Sequence, residues 1–459
     1  MDTFVYKDHK KLRCGYTTGT CAAIAAQGAV RFLLTGSWKE TEEIMTPKGI
    51  PVCVSLEEKT SGDSWAECAV RKDAGDDYDV TNGILVYARA EFVKDKNFYE
   101  KVQMSHLESS GFGVAGEKPG LSPENQKQQK KANVAHQKEA LPESLVRIDG
   151  GIGIGRITKS GLDQPVGAAA INSVPRKMIR DAVYELLEEA GELRLVSITI
   201  SVPAGVEAAK KTFNPVLGIE GGISVLGTSG IVEPMSEEAL VETIRTHLNV
   251  LKAEGRKWVI AVPGNMGAGF LERYLVEHGK FCTDAHQGSN AADTDAAVEA
   301  EQMAYGELST GTEPSLLEGF MNSLVTMSNF VGKTIDLAAE LGFSGILIAG
   351  HMGKLVKIGN GIMNTHSREA DGRMDTMLSC ALSAGTEDLE LLRKIQRSNT
   401  TDEAMDHLKQ AGIIEDTINV FLKRADWHLT HRSRDEVRTG MIGSIWERRK
   451  ARTRSCGQR

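Results

Sequence analysis

The sequence predicts an α+β N-terminal domain followed by an α/β domain with a Rossmann-like parallel sheet, on the strength of three observations. The chain has 459 residues, beyond the roughly 250–300 at which a single core stops growing, so two domains are expected. Its first half mixes short alternating strands with isolated helical stretches. Its second half repeats a strand-then-helix unit three times, the order that builds a parallel sheet. The expected boundaries are 1–235 for the α+β domain, 236–390 for the α/β domain, and 391–459 for a helical C-terminal extension with a basic tail.

Thr17-Thr18-Gly19-Thr20 precedes the alanine-rich CAAIAAQGAVRFLL and Gly36, which reads as an N-capped helix with a glycine stop. Segments 52–56 (VCVSL), 65–72 (WAECAVRK) and 84–92 (ILVYARAEF) alternate or run β-branched, so a half-buried sheet against that helix is expected. From 94 to 144 the composition turns to Lys, Gln, Glu, Ser and Gly, too polar for a core, and predicts an insertion. Order returns with LVRI at 145–148, a glycine-rich turn, a helix opened by Pro175 and a strand over 193–202. A helix over 236–254 leads to the apolar strand WVIAVPG (258–264) and the helical FLERYLVEHG. LVTMSN (324–329) then precedes VGKTIDLAAELGF, and GILIAG (345–350) runs into HMGKLVK. Between the first two units, 283–318 is polar and acidic and predicts a second insertion.

Net charge is −8, which gives no global basic field to gather nucleic acid or an anionic membrane surface, so neither partner is expected and an anionic ligand must meet local charges. The tail from 432 to 459 carries nine Lys/Arg against three Asp/Glu and reads as a solvated end. Seven cysteines at 14, 21, 53, 68, 282, 380 and 456 form no C-x-x-C pair, which favours reduced thiols over a zinc knuckle or disulfide framework. With no apolar N-terminal leader and no run of 18 apolar residues, a soluble cytoplasmic protein is expected.

Gly151-Ile-Gly153-Ile-Gly155 follows a strand and superficially matches a dinucleotide fingerprint. The helix that fingerprint requires is missing, because RITKSGLDQPVG comes next, interrupted by Gly161, Pro165 and Gly167. What remains is a backbone-rich loop with Arg156 and Lys159, able to bind carboxylates; a plain glycine turn explains it about as well. The acidic run Asp73-Ala-Gly-Asp76-Asp77-Tyr-Asp79-Val-Thr81-Asn82-Gly83 offers carboxylates for proton transfer or a divalent cation, against a solvated turn of near-even weight. Thr17 and Thr18 can meet an anionic ligand or simply cap the helix.

The three later strand ends carry Pro263-Gly264-Asn265-Met266-Gly267, Ser328-Asn329-Phe330 and Gly350-His351-Met352-Gly353-Lys354. Ligands of open parallel sheets bind beyond such ends, where glycines admit a bulky group, Asn bonds ribose or carboxylate, and His351 or Lys354 meets charge. A tight strand-to-helix turn explains each glycine singly, and less readily all three together. Asn364-Thr365-His366-Ser367-Arg368, with Asp371 and Arg373, adds a polar cluster in which His366 can act as a base oriented by Asp371.

These segments resemble the CbiD family of cobalt-precorrin-5B C1-methyltransferases. The resemblance lies in RCGYTTGTCAA, VRKDAGDDYDVTNG, GGIGIGRITKSGLDQPVGAAAINSVPRKMI, ISVPAGVEAAKKTFNPVLGIEGGISVLGTSGIVEPMS, VPGNMG, MSNFVGKTIDLAAELGFSGILIAGHMGKLVKI and GIMNTHSREADGRMD, in family order from 13 to 375. Asn82 stands where the family segment often has His, and Ala268-Gly269 where an acidic pair is frequent. The resemblance implies methyl transfer from S-adenosylmethionine to C1 of the cobalt-precorrin-5B tetrapyrrole, giving cobalt-precorrin-6A in anaerobic cobalamin synthesis, with cobalt carried by the substrate. On that reading Gly264, Asn265, Gly267, Asn329 and Gly350 hold the donor. Thr17, Thr18, Asp73, Arg156, Lys159 and Arg373 face the macrocycle, and Asp77, His351 or His366 manages a proton. A metal-dependent phosphoryl-transfer or hydrolytic enzyme stays open as an alternative, although no G-x-x-x-x-G-K-[ST] loop is present, as does a non-enzymatic tetrapyrrole carrier.

Overall fold

The computed structural model describes residues 3–7, 9–93, 145–192, 194–278, 322–444 and 453–455; both expected insertions, and 445–452 and 456–459 of the basic tail, lie outside them. The chain divides into two compact units, Met1–Ser236 and Glu237–Arg459. No described helix is long and apolar enough to cross a membrane.

In the first unit, strands Glu57–Ser61, Trp65–Arg71, Leu85–Phe92, Val196–Ser201 and Val146–Gly150 lie in that order, antiparallel except for the last pair. Alternation sorts their side chains: Val86, Ala88, Ala90, Val196, Ile198 and Ile200 are buried, whereas Tyr87 and Arg89 are only partly covered. The buried face shares one core with the alanine-rich helix Thr18–Thr35 and with Met178, Ile179, Val183 and Leu187 of the helix Ser173–Ala190. Small side chains let the first helix lie close. A Cβ on Gly28 would stand 2.6 Å from Leu56 Cδ1 and 3.2 Å from Cys68 Sγ.

The glycine-rich loop after Val146–Gly150 is a packing device. Gly153 has φ +76° and a Cβ there would sit 1.7 Å from the carbonyl oxygen of Val202, while one on Gly155 would meet Ile219 at 2.3 Å. The backbone is thus laid against its neighbours with no room for side chains, and no helix follows it.

The second unit is built on a five-stranded sheet. Strands Leu324–Thr326, Trp258–Val262, Gly345–His351 and Arg438–Ser444 are parallel, and Thr453–Ser455 closes the edge antiparallel. Both faces are covered. Val259, Ala261, Val325, Ile346, Ile348 and Met441 share a core with the helices Glu237–Ala253 and Val331–Glu340, whereas Ile260, Val262 and Ala349 pack with Leu271 of the helix Asn265–His278.

The region expected as a helical extension differs. Helices Leu389–Arg397, Thr401–Gln410 and Ile414–Ser433 belong to the sheet's own core through Leu391, Ile395, Leu408 and Phe421, as does the preceding helix Arg373–Ser383 through Met377. After them Arg438–Ser444 is the fourth parallel strand. RTGMIGS carries neither alternation nor an apolar run, so its strand state is set by pairing with Gly345–His351. Its Gly443 is demanded by Met352, whose Sδ would lie 2.6 Å from a Cβ.

Candidate functional site

Two clusters of sequence-nominated residues come together, one in each unit. In the first, the Trp65–Arg71 strand delivers the acidic run to the foot of the Thr18–Thr35 helix. Arg13 grips Asp73 with both guanidinium nitrogens (Nη2 to Oδ1, 2.8 Å), and its backbone N–H donates to Asp76 Oδ2 at 2.6 Å. Hydrogen bonding from Arg13, opposed by burial, holds the Asp73 carboxyl below its ordinary range. Lys72 is buried and pairs with Asp79 and with Thr81 Oγ1. Burial pushes the Asp79 carboxyl up, but the charge and hydrogen bond of Lys72 and bonds from Thr81 outweigh it, so its pKa is also lowered. Asp77 Oδ1 accepts the Met235 N–H at 3.0 Å. Asn82 has its Oδ1 accepting the Ala74 N–H at 2.9 Å. These acids act as struts in the loop. Beside it, Tyr16, Glu57, Arg71, Lys72, Asp73 and Asn82 help line a cavity of about 450 Å³.

Thr17 and Thr18 are buried. Thr17 caps the helix by accepting the Thr20 N–H at 3.2 Å, and Thr20 Oγ1 donates to the Gly230 carbonyl at 2.6 Å, so this end is clamped under the loop at 226–230. Arg156 is paired with Asp149 (2.7 Å) and also donates to the Gly150 carbonyl at 2.7 Å. Lys159 lies against Gly218, where a Cβ would come within 2.3 Å of its Cγ.

In the second unit, the ends of three parallel strands converge. Gly350 and Gly267 are shaped by one proline: a Cβ on Gly350 would meet the Pro263 ring at 2.9 Å, and one on Gly267 would meet it at 3.0 Å. Gly264 has φ +109° and nothing within 4 Å of a Cβ position, so its backbone faces open space at a conformation that favours glycine. Asn265 begins the helix Asn265–His278. Lys354 joins the other strand ends: its Nζ donates to Asn329 Oδ1 at 3.0 Å and, more weakly, to the Pro263 carbonyl at 3.4 Å. The Asn329 carbonyl in turn accepts the Thr365 N–H at 2.9 Å, drawing 363–366 against this edge, where Asn364 bridges Phe330. Behind them Lys357 is buried and donates to the carbonyls of Thr365 (3.1 Å) and Ala370 (2.7 Å). Burial, and then the neighbouring Lys357, pull the Lys354 pKa below the ordinary lysine value.

His351 Nδ1 accepts the Gly353 N–H at 3.0 Å as a helix cap, and its Nε2 faces Asp402 Oδ1 at 3.7 Å, beyond hydrogen-bond distance. His366 is exposed, and its Nδ1 accepts the Arg368 N–H at 3.1 Å. Asp371, expected to orient it, pairs with Arg373. Lys357 and Asp402 are not among the residues the sequence singles out. Lys357 left a signal, a lysine inside the otherwise apolar run LVKI.

Comparison with known proteins assigns the family. The CbiD family model matches residues 5–128 and 124–234, and the model of the CbiD C-terminal domain matches 364–443. The chain therefore belongs to the CbiD family. Cobalt-precorrin-5B C(1)-methyltransferase from Ruminiclostridium cellulolyticum is 36% identical over 96% of this chain and 91% of its own length. Proteins of the same name from Thermoanaerobacter sp. and Methanocaldococcus jannaschii are 37% and 33% identical, over 90% and 93% of this chain and 87% and 92% of their own. The crystal structure of a cobalamin biosynthesis protein (cbiD) from Archaeoglobus fulgidus is 22% identical and aligns over 81% of this chain and 87% of that one with a TM-score of 0.33, and adds no weight to the assignment.

Proposed function

We propose that this chain transfers a methyl group from S-adenosylmethionine to C1 of cobalt-precorrin-5B, in the cytoplasm, the cobalt entering with the substrate. The observation that carries this reading is the name shared by relatives 33–37% identical over 90–96% of the chain. The second unit supports a donor site. In chain order its strands run 2-1-3-4-5, so the connections reverse direction between Trp258–Val262 and Gly345–His351, the switch point at which doubly wound, Rossmann-like sheets open a crevice. Gly264 and Gly350 stand at the carboxyl ends of those two strands.

The donor's sulfonium supplies the methyl as an electrophile; no covalent enzyme nucleophile is needed, and positioning with water exclusion provides much of the rate. At the strand ends, Gly264 offers exposed backbone, Gly267 and Gly350 keep the Pro263 turn tight, and Asn329, its oxygen fixed by Lys354, retains amide donors for a ribose or carboxylate. Anaerobic incubation with cobalt-precorrin-5B and methyl-labelled donor, read by mass spectrometry, is expected to add one labelled methyl group. Unchanged macrocycle would reject the proposal. Asn329→Ala and Gly350→Val are each expected to weaken donor binding by about tenfold, measured by calorimetry.

A further inference from the structure

The ammonium of Lys354 is the least compensated charge at the strand ends. A lysine carries three donors, and here the recorded bonds go to two neutral oxygens, Asn329 Oδ1 and the Pro263 carbonyl. Among the described residues no carboxylate pairs with it. Lys357, three positions on, is likewise held by carbonyl oxygens alone. The neighbouring cations differ, since Arg373 is matched by Asp371 and Arg432 by Asp336. Lys354 is half-buried, and partly withdrawing an ammonium from water without a counter-ion costs free energy that a bound anion can return. The uncompensated charge also has a definite place: Lys354 touches the carbonyl immediately before Gly264, on the open side of the switch point.

We propose that Lys354 binds a ligand carboxylate, that of the amino-acid end of the methyl donor, with Lys357 adding field from behind; this rests on the methyl-transfer reading. The macrocycle's own carboxylates are the other source of this chemistry. The position of Lys354 against the Pro263–Gly264 peptide favours the donor.

The test compares S-adenosylmethionine with its decarboxylated analogue by calorimetry on the full chain, in wild type, Lys354→Met and Lys354→Arg. Wild type is expected to prefer the carboxylated ligand by about tenfold or more, the scale of one charge-assisted bond. Lys354→Met should bind both ligands alike, and Lys354→Arg should restore the preference, which separates lost charge from a misfolded variant. If wild type discriminates and Lys354→Met discriminates as well, Lys354 is not the carboxylate's partner and the proposal falls while methyl transfer stands. A Lys354→Met enzyme with unchanged donor binding but a raised KM for the macrocycle would also overturn it, moving the contact to the other substrate. Wild type that binds neither ligand would reject the donor reading itself, and this assignment with it.

Discussion

The acidic loop of the first unit and the strand ends of the second make opposite use of charge. At 73–82 the sequence is crowded with carboxylates, yet Asp73, Asp76, Asp77 and Asp79 each accept a bond from Arg13, Met235 or Lys72. At the strand ends charge is sparse, and two lysines donate hydrogen bonds only to neutral oxygens. Density of ionisable residues therefore marks a strut in one region, while under the proposal above incomplete neutralisation marks a place for a ligand in the other. If structural pairs serve stability and the unmatched charge serves binding, the two regions should respond differently to substitution.

The largest effect is expected at the glycine loop. Gly153→Ala places a methyl against the Val202 carbonyl at a positive φ and should destabilise the first unit by about 4 kcal/mol or more, read from urea denaturation. A mild effect would mean the loop has slack. Next is Lys72→Met, which strands the Asp79 carboxylate and should cost about 3 kcal/mol in the same measurement, whereas Lys354→Met should cost less than about 1 kcal/mol. Equal losses would erase the distinction between the regions.

Their pH responses should also diverge. Asp73 and Asp79 have folded pKa values below the unfolded one, so their stabilisation is complete above about pH 4 and is lost as pH falls through the folded values. Asp73→Asn and Asp79→Asn should flatten that acid limb in denaturation curves. Lys354 and Lys357 are likewise lowered, chiefly by burial, but for a cation the sign reverses. The cost of holding them charged is full below their folded pKa and is relieved as pH rises from there towards about 10.4. Lys354→Met should reduce that alkaline gain. The smallest effect is expected from Asp77→Asn: the amide oxygen still accepts the Met235 N–H, so turnover should stay within about threefold, and a hundredfold loss would return Asp77 to the chemistry.

Much of the fold could be read in advance because its signals are local. Alternation in 84–92, the alanine-rich helix behind Thr17 and three strand-helix repeats all follow from residue period and capping. Arg438–Ser444 escaped because its strand state comes from a partner nearly a hundred residues earlier. The glycines and Asn329 were recognisable as strand-end residues. Which charges are already matched could not be read, because Arg13 reaches Asp73 across sixty positions and Lys354 reaches Asn329 across twenty-five. Asp371, expected to orient His366, instead pairs with Arg373, whose guanidinium forms the stronger charge-assisted contact two residues away.

Hydrogen exchange of the intact chain, with and without S-adenosylmethionine, tests most directly where the ligand lands. Donor-dependent protection is predicted at 262–268, 327–330 and 350–357, with 71–83 unchanged. Protection confined to 71–83, with the strand ends exchanging as before, would contradict the account.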